Sequence, residues 1–147
     1  MSSSRADASS QDRSVDVLAA GYRFSDKFFA LFVAAHFPVG LVLAYWYGGF
    51  WPMLFAGAVL SGGTLAATWL APGAFLTRAT VAVVLMAYSA LFINQTHGLI
   101  EAHFHVFAVL AFLTFYRDWR IPALAGLAIF GQQVVFYFLQ VKGVHVY

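Results

Sequence analysis

Between residues 97 and 105 the sequence reads His-Gly-Leu-Ile-Glu-Ala-His-Phe-His, three imidazoles and a carboxylate in nine residues. Imidazole nitrogens bind Zn, Cu or Fe, and a carboxylate either joins the metal or orients an imidazole beside it. On a continuous helix His97, Glu101 and His105 fall within about 80° of one another, an i, i+4, i+8 stripe. His103 points roughly 160° away from His105 and must face another neighbour. The spacing is not the H-E-x-x-H of zinc proteases, which needs two histidines four apart with the acid beside the first. With no cysteine in the chain, disulfides, thiolate metal sites, Cys-linked haem and cysteine catalysis are all excluded.

The elements that must hold these groups are read from the charges. Only 14 of 147 residues are charged (eight Lys or Arg, six Asp or Glu), 10% against a hydrophobic fraction of 62%. A soluble domain carries about 25% charged residues, so an ordinary soluble domain is excluded and a disordered chain more firmly still. Eight scattered basic residues form no stripe that could follow phosphates, so no nucleic-acid partner is expected despite the basic pI. The gaps between charges fit five spans of about 20 apolar residues, near 28–47, 50–71, 76–95, 98–116 and 121–141. The reading is an all-α membrane protein: a compact antiparallel bundle of about five transmembrane helices, residues 25–147, behind a polar, solvated, cytoplasmic tail, residues 1–24. The tail is too polar for a secretory signal peptide.

Arg5, Arg13, Arg23, Lys27, Arg78, Arg117 and Arg120 all fall on one side of such a bundle, and Lys142 alone on the other. That bias predicts a cytoplasmic N-terminus. The outer connections are then short, Gly48-Gly49 and the region of Thr96-His97-Gly98. Trp46, Tyr47, Trp51, Trp69, Tyr116, Trp119 and Tyr147 fall at span ends, as an interfacial aromatic belt requires. Arg117, Asp118, Trp119 and Arg120 form an inner turn, with Pro122 in the first turn of the next helix. An odd number of spans leaves the C-terminus outside, so the chain reads as a fragment that lacks a sixth span.

Ionisable groups in a bilayer are costly and mark function by default. Counting about 1.5 Å per residue from the outer surface, His103 and His105 lie roughly 8–11 Å deep, Gln132 and Gln133 about 12–14 Å, and His36 about 16 Å. Tyr88 and Ser61 fall in the same outer half. The expected metal-binding set is His36, His97, Glu101, His103 and His105, with Tyr88, Gln132, Gln133 and Tyr137 as further ligand-binding residues. The metal would be Cu, Fe or Zn, or the group a haem. Plainer roles stand beside these. His36, next to Pro38, could be a packing hydrogen bonder, and His97 a helix-end group. His145 reads as solvated near the terminus. The Gln and Tyr side chains of the last span could be interhelical glue. Gly62, Gly63, Gly126 and Gly131 read as close helix contacts.

The run Gln95-Thr-His97-Gly-Leu-Ile-Glu101-Ala-His103-Phe-His105-Val-Phe, followed by Tyr116-Arg117-Asp118-Trp119-Arg120, resembles the N-terminal multi-pass membrane region of bacterial methyl-accepting chemotaxis proteins. Related regions occur on some diguanylate cyclases. His36-Phe-Pro38 and Phe138-Leu139-Gln140 fit the same pattern, and the resemblance covers about residues 24–147. It implies a six-helix sensory input module in the bacterial inner membrane, coupled to a cytoplasmic signalling domain. The chain departs from that pattern in lacking the sixth span and the output domain. It also has Gln132-Gln133 where the family usually has a His pair, which implies a thinner coordination sphere or a different ligand. The expected function is therefore a membrane-embedded sensor of signal transduction and chemotaxis. Its expected partners are the lipid bilayer, a second copy of the chain and cytoplasmic signalling proteins. The alternatives are a histidine-ligated metal or haem oxidoreductase, for which no catalytic framework is recognisable, and a purely structural bundle.

Overall fold

Charge-free stretches of about 20 residues leave the backbone no partner but itself, and the computed structural model places them in five helices. The backbone is described for residues 2–144 and 146, and side chains from residue 17 onward among these. His145 and Tyr147, assigned above to a solvated end and an aromatic belt, lie outside the described residues. Helix α1 is Ser2–Tyr47, α2 is Phe50–Leu70, α3 is Phe75–Gln95, α4 is Ile100–Leu113 and α5 is Arg120–Val141. The backbone shows no break near residue 24: α1 runs through the polar segment into the apolar one as a single helix of 46 residues. Pro38 sits inside it and, lacking an N–H, frees the carbonyl of Ala34.

Among the described residues four helices are long and apolar enough to cross a membrane: Val17–Tyr47 within α1, and α2, α3 and α5. Helices α2 and α3, at 21 residues each, span about 31 Å. The fourth expected span is shorter than the others. Helix α4 has 14 residues and continues as a 3-10 turn, Thr114–Tyr116, for about 27 Å in all. It begins at Ile100, not 98, because residues 96–99 form a turn in which His97 (φ 56°) and Gly98 (φ 81°) are left-handed. There the Gly98 N–H returns to the Ile93 carbonyl at 2.9 Å, closing the end of α3.

Helix α3 is the axis of the bundle and packs against the other four. Val81, Leu85, Tyr88 and Ile93 along it are fully buried. The outer surface is apolar: Leu31 is 72% exposed, Val59 73%, Trp69 85% and Phe130 68%. A soluble monomer rarely leaves so continuous an apolar surface bare, whereas a hydrocarbon surround covers it at no cost. Trp46, Trp51, Trp69 and Trp119 lie exposed at helix ends as a belt would require, but Tyr116 is buried and stacks on Phe29 at 4.6 Å.

The glycines that permit close approach are not those expected. A Cβ at Gly62, Gly63, Gly126 or Gly131 would meet nothing within 4 Å, so these four face open surroundings and are not helix contacts. A Cβ at Gly40 or Gly57 would strike Met53, and at Gly57 also the Phe37 ring at 2.6 Å, so it is at these two that α1 and α2 close on each other.

At one end of the bundle two buried charged side chains, Asp26 and Arg78, have partners on other elements. Asp26 on α1 is fully buried and its Oδ2 accepts the Gly73 N–H at 2.6 Å, tying α1 to the α2–α3 turn. Arg78 on α3 pairs with Asp118 in the α4–α5 turn at 3.2 Å and lies 4.0 Å over the Tyr22 ring. Four elements are thus clasped where their chain ends meet.

Candidate ligand site: a buried histidine pair

Two of the five expected metal ligands come together. His36 of α1 and His105 of α4 face each other with their Nε2 atoms 2.9 Å apart. Phe32 packs edge-on against His36 at 4.6 Å and Phe92 stacks on it at 5.9 Å; Phe92 also lies 5.2 Å from His105, and Tyr88 5.5 Å from His36. Three aromatic rings, Phe32, Tyr88 and Phe92, line the pair. Helices α1 and α4 meet here through long side chains, Phe32 against Phe112 at 5.3 Å as well as the imidazoles.

The hydrogen-bond partners fix where the protons sit. His36 Nδ1 faces the Phe32 carbonyl at 2.7 Å, an acceptor only, so Nδ1 carries the proton and donates. In a neutral imidazole Nε2 is then an acceptor, and His105 must donate to it from its own Nε2–H. His105 Nδ1 is left bare and accepts the hydroxyl of Ser89, 2.8 Å away. Ser89 also reaches the Leu85 carbonyl at 3.0 Å, but has one proton to give. Neutrality in an apolar surround therefore selects a single direction for the chain: Ser89 to His105 to His36 to Phe32. A cation placed between the two Nε2 atoms reverses part of it. His105 then carries its proton on Nδ1, donates to Ser89, and the Ser89 hydroxyl turns to Leu85. In that second arrangement both Nε2 lone pairs point at one spot, each Nδ1–H anchored behind it, as metal-ligating histidines are.

The remaining expected ligands are elsewhere. Among the described residues no three His, Asp or Glu side chains lie close enough to hold one metal ion, so the five-residue cluster is not assembled. The stripe of His97, Glu101 and His105 fails because the backbone turns at residues 96–99 and His97 is not on α4. Glu101 is exposed in the first turn of α4, a favourable place for an anion beside the free N–H groups. His103 is half-buried and donates from Nδ1 to the Leu99 carbonyl of its own turn at 3.1 Å. The depth estimate, which set His36 about 5 Å below His105, assumed level helix ends. His36 stands eleven residues before the end of α1 and His105 five after the start of α4, about 17 and 8 Å. Helix α1 therefore projects beyond α4, and the two histidines meet.

Of the further expected ligand residues, Tyr88 is fully buried and its hydroxyl is spent, donating to the Gly57 carbonyl at 2.9 Å and accepting from Ser61 at 2.6 Å. It joins α3 to α2 as glue. Gln133 is exposed and Tyr137 is 62% exposed, both on the outward face of α5 and away from the pair. Gln132 turns inward, to a different cleft. Sequence reasoning missed Ser89. Its only signal was a second hydroxyl beside Tyr88 in an otherwise apolar run. The Asp26 and Arg78 clasp was missed too, though a lone arginine between two uncharged stretches announces that it needs a partner.

No protein-family model, curated protein or solved structure matches this chain.

Proposed function

We propose that the chain is the membrane-embedded sensory input domain of a bacterial signal-transduction protein, of the chemoreceptor kind, with the His36–His105 pair as its responsive element. The observation that carries this reading is the direct Nε2–Nε2 contact at 2.9 Å between two different helices, inside an aromatic cage. A sensor needs two packings that its ligand binds unequally. An imidazole-bound first-row metal ion sits about 2 Å from each nitrogen, so two collinear imidazoles must stand about 4 Å apart. Occupancy by one ion spreads α1 and α4 by roughly 1 Å at this level and turns Ser89 over. A proton shared between the same atoms leaves their spacing unchanged. The pair thus distinguishes the two cations by geometry.

Haem fits poorly. A porphyrin between these imidazoles would have to enter a 2.9 Å gap walled by Phe32, Phe92 and Tyr88. The lone membrane carboxylate of the sequence, Glu101, lies exposed and not beside the pair, so the arrangement also offers little to a metal oxidoreductase. The proposed orientation keeps α1's N-terminus and the Arg78–Asp118 clasp on the cytoplasmic side, in the inner membrane, where the basic residues collect.

Metal analysis of the purified protein, with Cu, Fe and Zn titrations followed by imidazole 15N shifts, tests the reading. Uptake of one ion per chain that is lost in His36→Ala and His105→Ala, and kept in a His97→Ala, His103→Ala double variant, is the expected result. Equal uptake by all of these variants would refute it.

A further inference from the structure

A second cleft lies on the other side of α3, between α2, α3 and α5. Its volume is about 670 Å³, within the usual range for ligand pockets. Its walls are apolar apart from Asn94 and Gln132. Gln132 is the anomaly: both its amide nitrogen and its amide oxygen are buried, and neither has a hydrogen-bond partner. A bare amide in an apolar wall is costly unless something supplies the missing bonds.

The place of the cleft says what can supply them. Gln132 stands twelve residues from the start of α5 and nine from its end, about 18 and 14 Å, so it is near mid-helix. The mouth is flanked by Phe55, 67% exposed, and Val59, 73% exposed, and so opens sideways onto the surface that hydrocarbon would cover. Water has no access at that depth. Phospholipid headgroups lie at the edges of a core about 30 Å thick, and their tails carry no polar atom near its middle. The occupant must therefore dissolve in the membrane and still carry a hydrogen-bonding atom inside it. A quinone ring does so. Its oxidised form presents a carbonyl that accepts from Gln132 Nε2, and its reduced form a hydroxyl that donates to Gln132 Oε1, so one amide serves both. Phe55 and Phe136 offer flat walls for the ring.

We infer that the α2–α3–α5 cleft is a binding site for a membrane quinone or quinol, oriented by the side-chain amide of Gln132. The site stands apart from the histidine pair and does not rest on it.

The experiment uses the whole chain in nanodiscs of defined phospholipid, with a short-tailed azido-benzoquinone as photoprobe and its quinol as competitor. Labelling is expected to saturate and to map by mass spectrometry to peptides of α2, α3 and α5. Gln132→Leu should weaken it about five- to tenfold, the size of one lost neutral hydrogen bond with its partner left bare. Ala90→Phe should abolish it by filling the cleft, and His36→Ala should leave it unchanged. Circular dichroism and a melting curve on each variant show whether it is folded. Three results overturn the inference: labelling spread evenly over the lipid-facing surface, labelling that a simple alkane displaces as well as the quinol does, or folded Gln132→Leu that binds as tightly as the parent.

Discussion

Removing the Ser89 hydroxyl tests the proton chain at its least protected link. In Ser89→Ala the alanine fits where the serine stood, so packing is conserved, but His105 Nδ1 loses the donor 2.8 Å away and faces apolar neighbours. An orphaned buried acceptor costs about 1–3 kcal/mol in water-soluble proteins. Membrane hydrogen bonds measured by double-mutant cycles average nearer 0.6 kcal/mol, because the unfolded chain in lipid also finds partners. Here the orphan is created inside the folded state, where no substitute can reach it, so about 1–1.5 kcal/mol is expected. His105→Ala should cost about 3 kcal/mol, since it leaves His36 Nε2 unpaired and opens a hollow among three rings. The double variant should cost little more than His105→Ala alone, giving a coupling of about 1 kcal/mol. Reversible unfolding in bicelles measures all three. The 15N spectrum of the parent should show His36 as the Nδ1–H tautomer and His105 as the Nε2–H tautomer. Additive energies, or the same tautomer for both histidines, would refute the chain as drawn.

Other residues give simpler expectations. Gly57→Ala should destabilise by about 1–3 kcal/mol, because its Cβ would press on the Phe37 ring, whereas Gly62→Ala should be neutral or slightly stabilising; parallel melting curves decide. Tyr88→Phe should lose about 1–2 kcal/mol through the Gly57 and Ser61 bonds without altering either histidine's 15N shifts. Arg78→Ala should be among the most damaging polar substitutions, about 3–5 kcal/mol, since it leaves Asp118 unpaired at a mostly buried bridge; denaturant or detergent titration measures it. Glu101→Ala should change stability by less than about 0.5 kcal/mol, as for an exposed side chain.

The helical bundle was legible because the absence of charge over 50 residues, 28 to 77, admits few other structures, and because Gly48-Gly49 leaves room only for a tight return. The site was legible in part. Histidines at 36 and 105 were marked by their cost in an apolar run, and that reasoning needs no knowledge of packing. What failed was the step from residues near in sequence to residues near in space. His97, Glu101, His103 and His105 are neighbours along the chain, yet a left-handed turn at His97 removes it from the helix, Glu101 stands exposed in the first turn of α4, and the helix sends His103 away from His105. The partner of His105 is instead 69 residues distant. The glycine error has the same origin. Gly62-Gly63 looks more like a contact than a lone Gly57, but only the face that meets α1 makes use of a missing Cβ, and nothing in the local pattern says which face that is.

If the histidine pair is the responsive element proposed above, its route to an output runs along α1. His36 and Asp26 sit ten residues apart on this helix, about 15 Å. Pro38 lies just beyond His36, on the far side from Asp26, and the bond it removes is that of the Ala34 carbonyl, so the carbonyls of residues 26–33 keep their helical partners. A shift of about 1 Å at His36 is therefore carried as a rigid displacement toward Asp26, while the portion past Pro38 can stay packed through Gly40 and Met53. At Asp26 the displacement meets a hydrogen bond of 2.6 Å to Gly73, in the turn that leads to α3 and Arg78. Asp26→Ala should then uncouple the two ends: ion binding at the pair is retained, but spin labels placed at Arg23 and Arg117 no longer report it. If those labels still changed separation on binding, the clasp would be structural only and the signal would have to travel along α3.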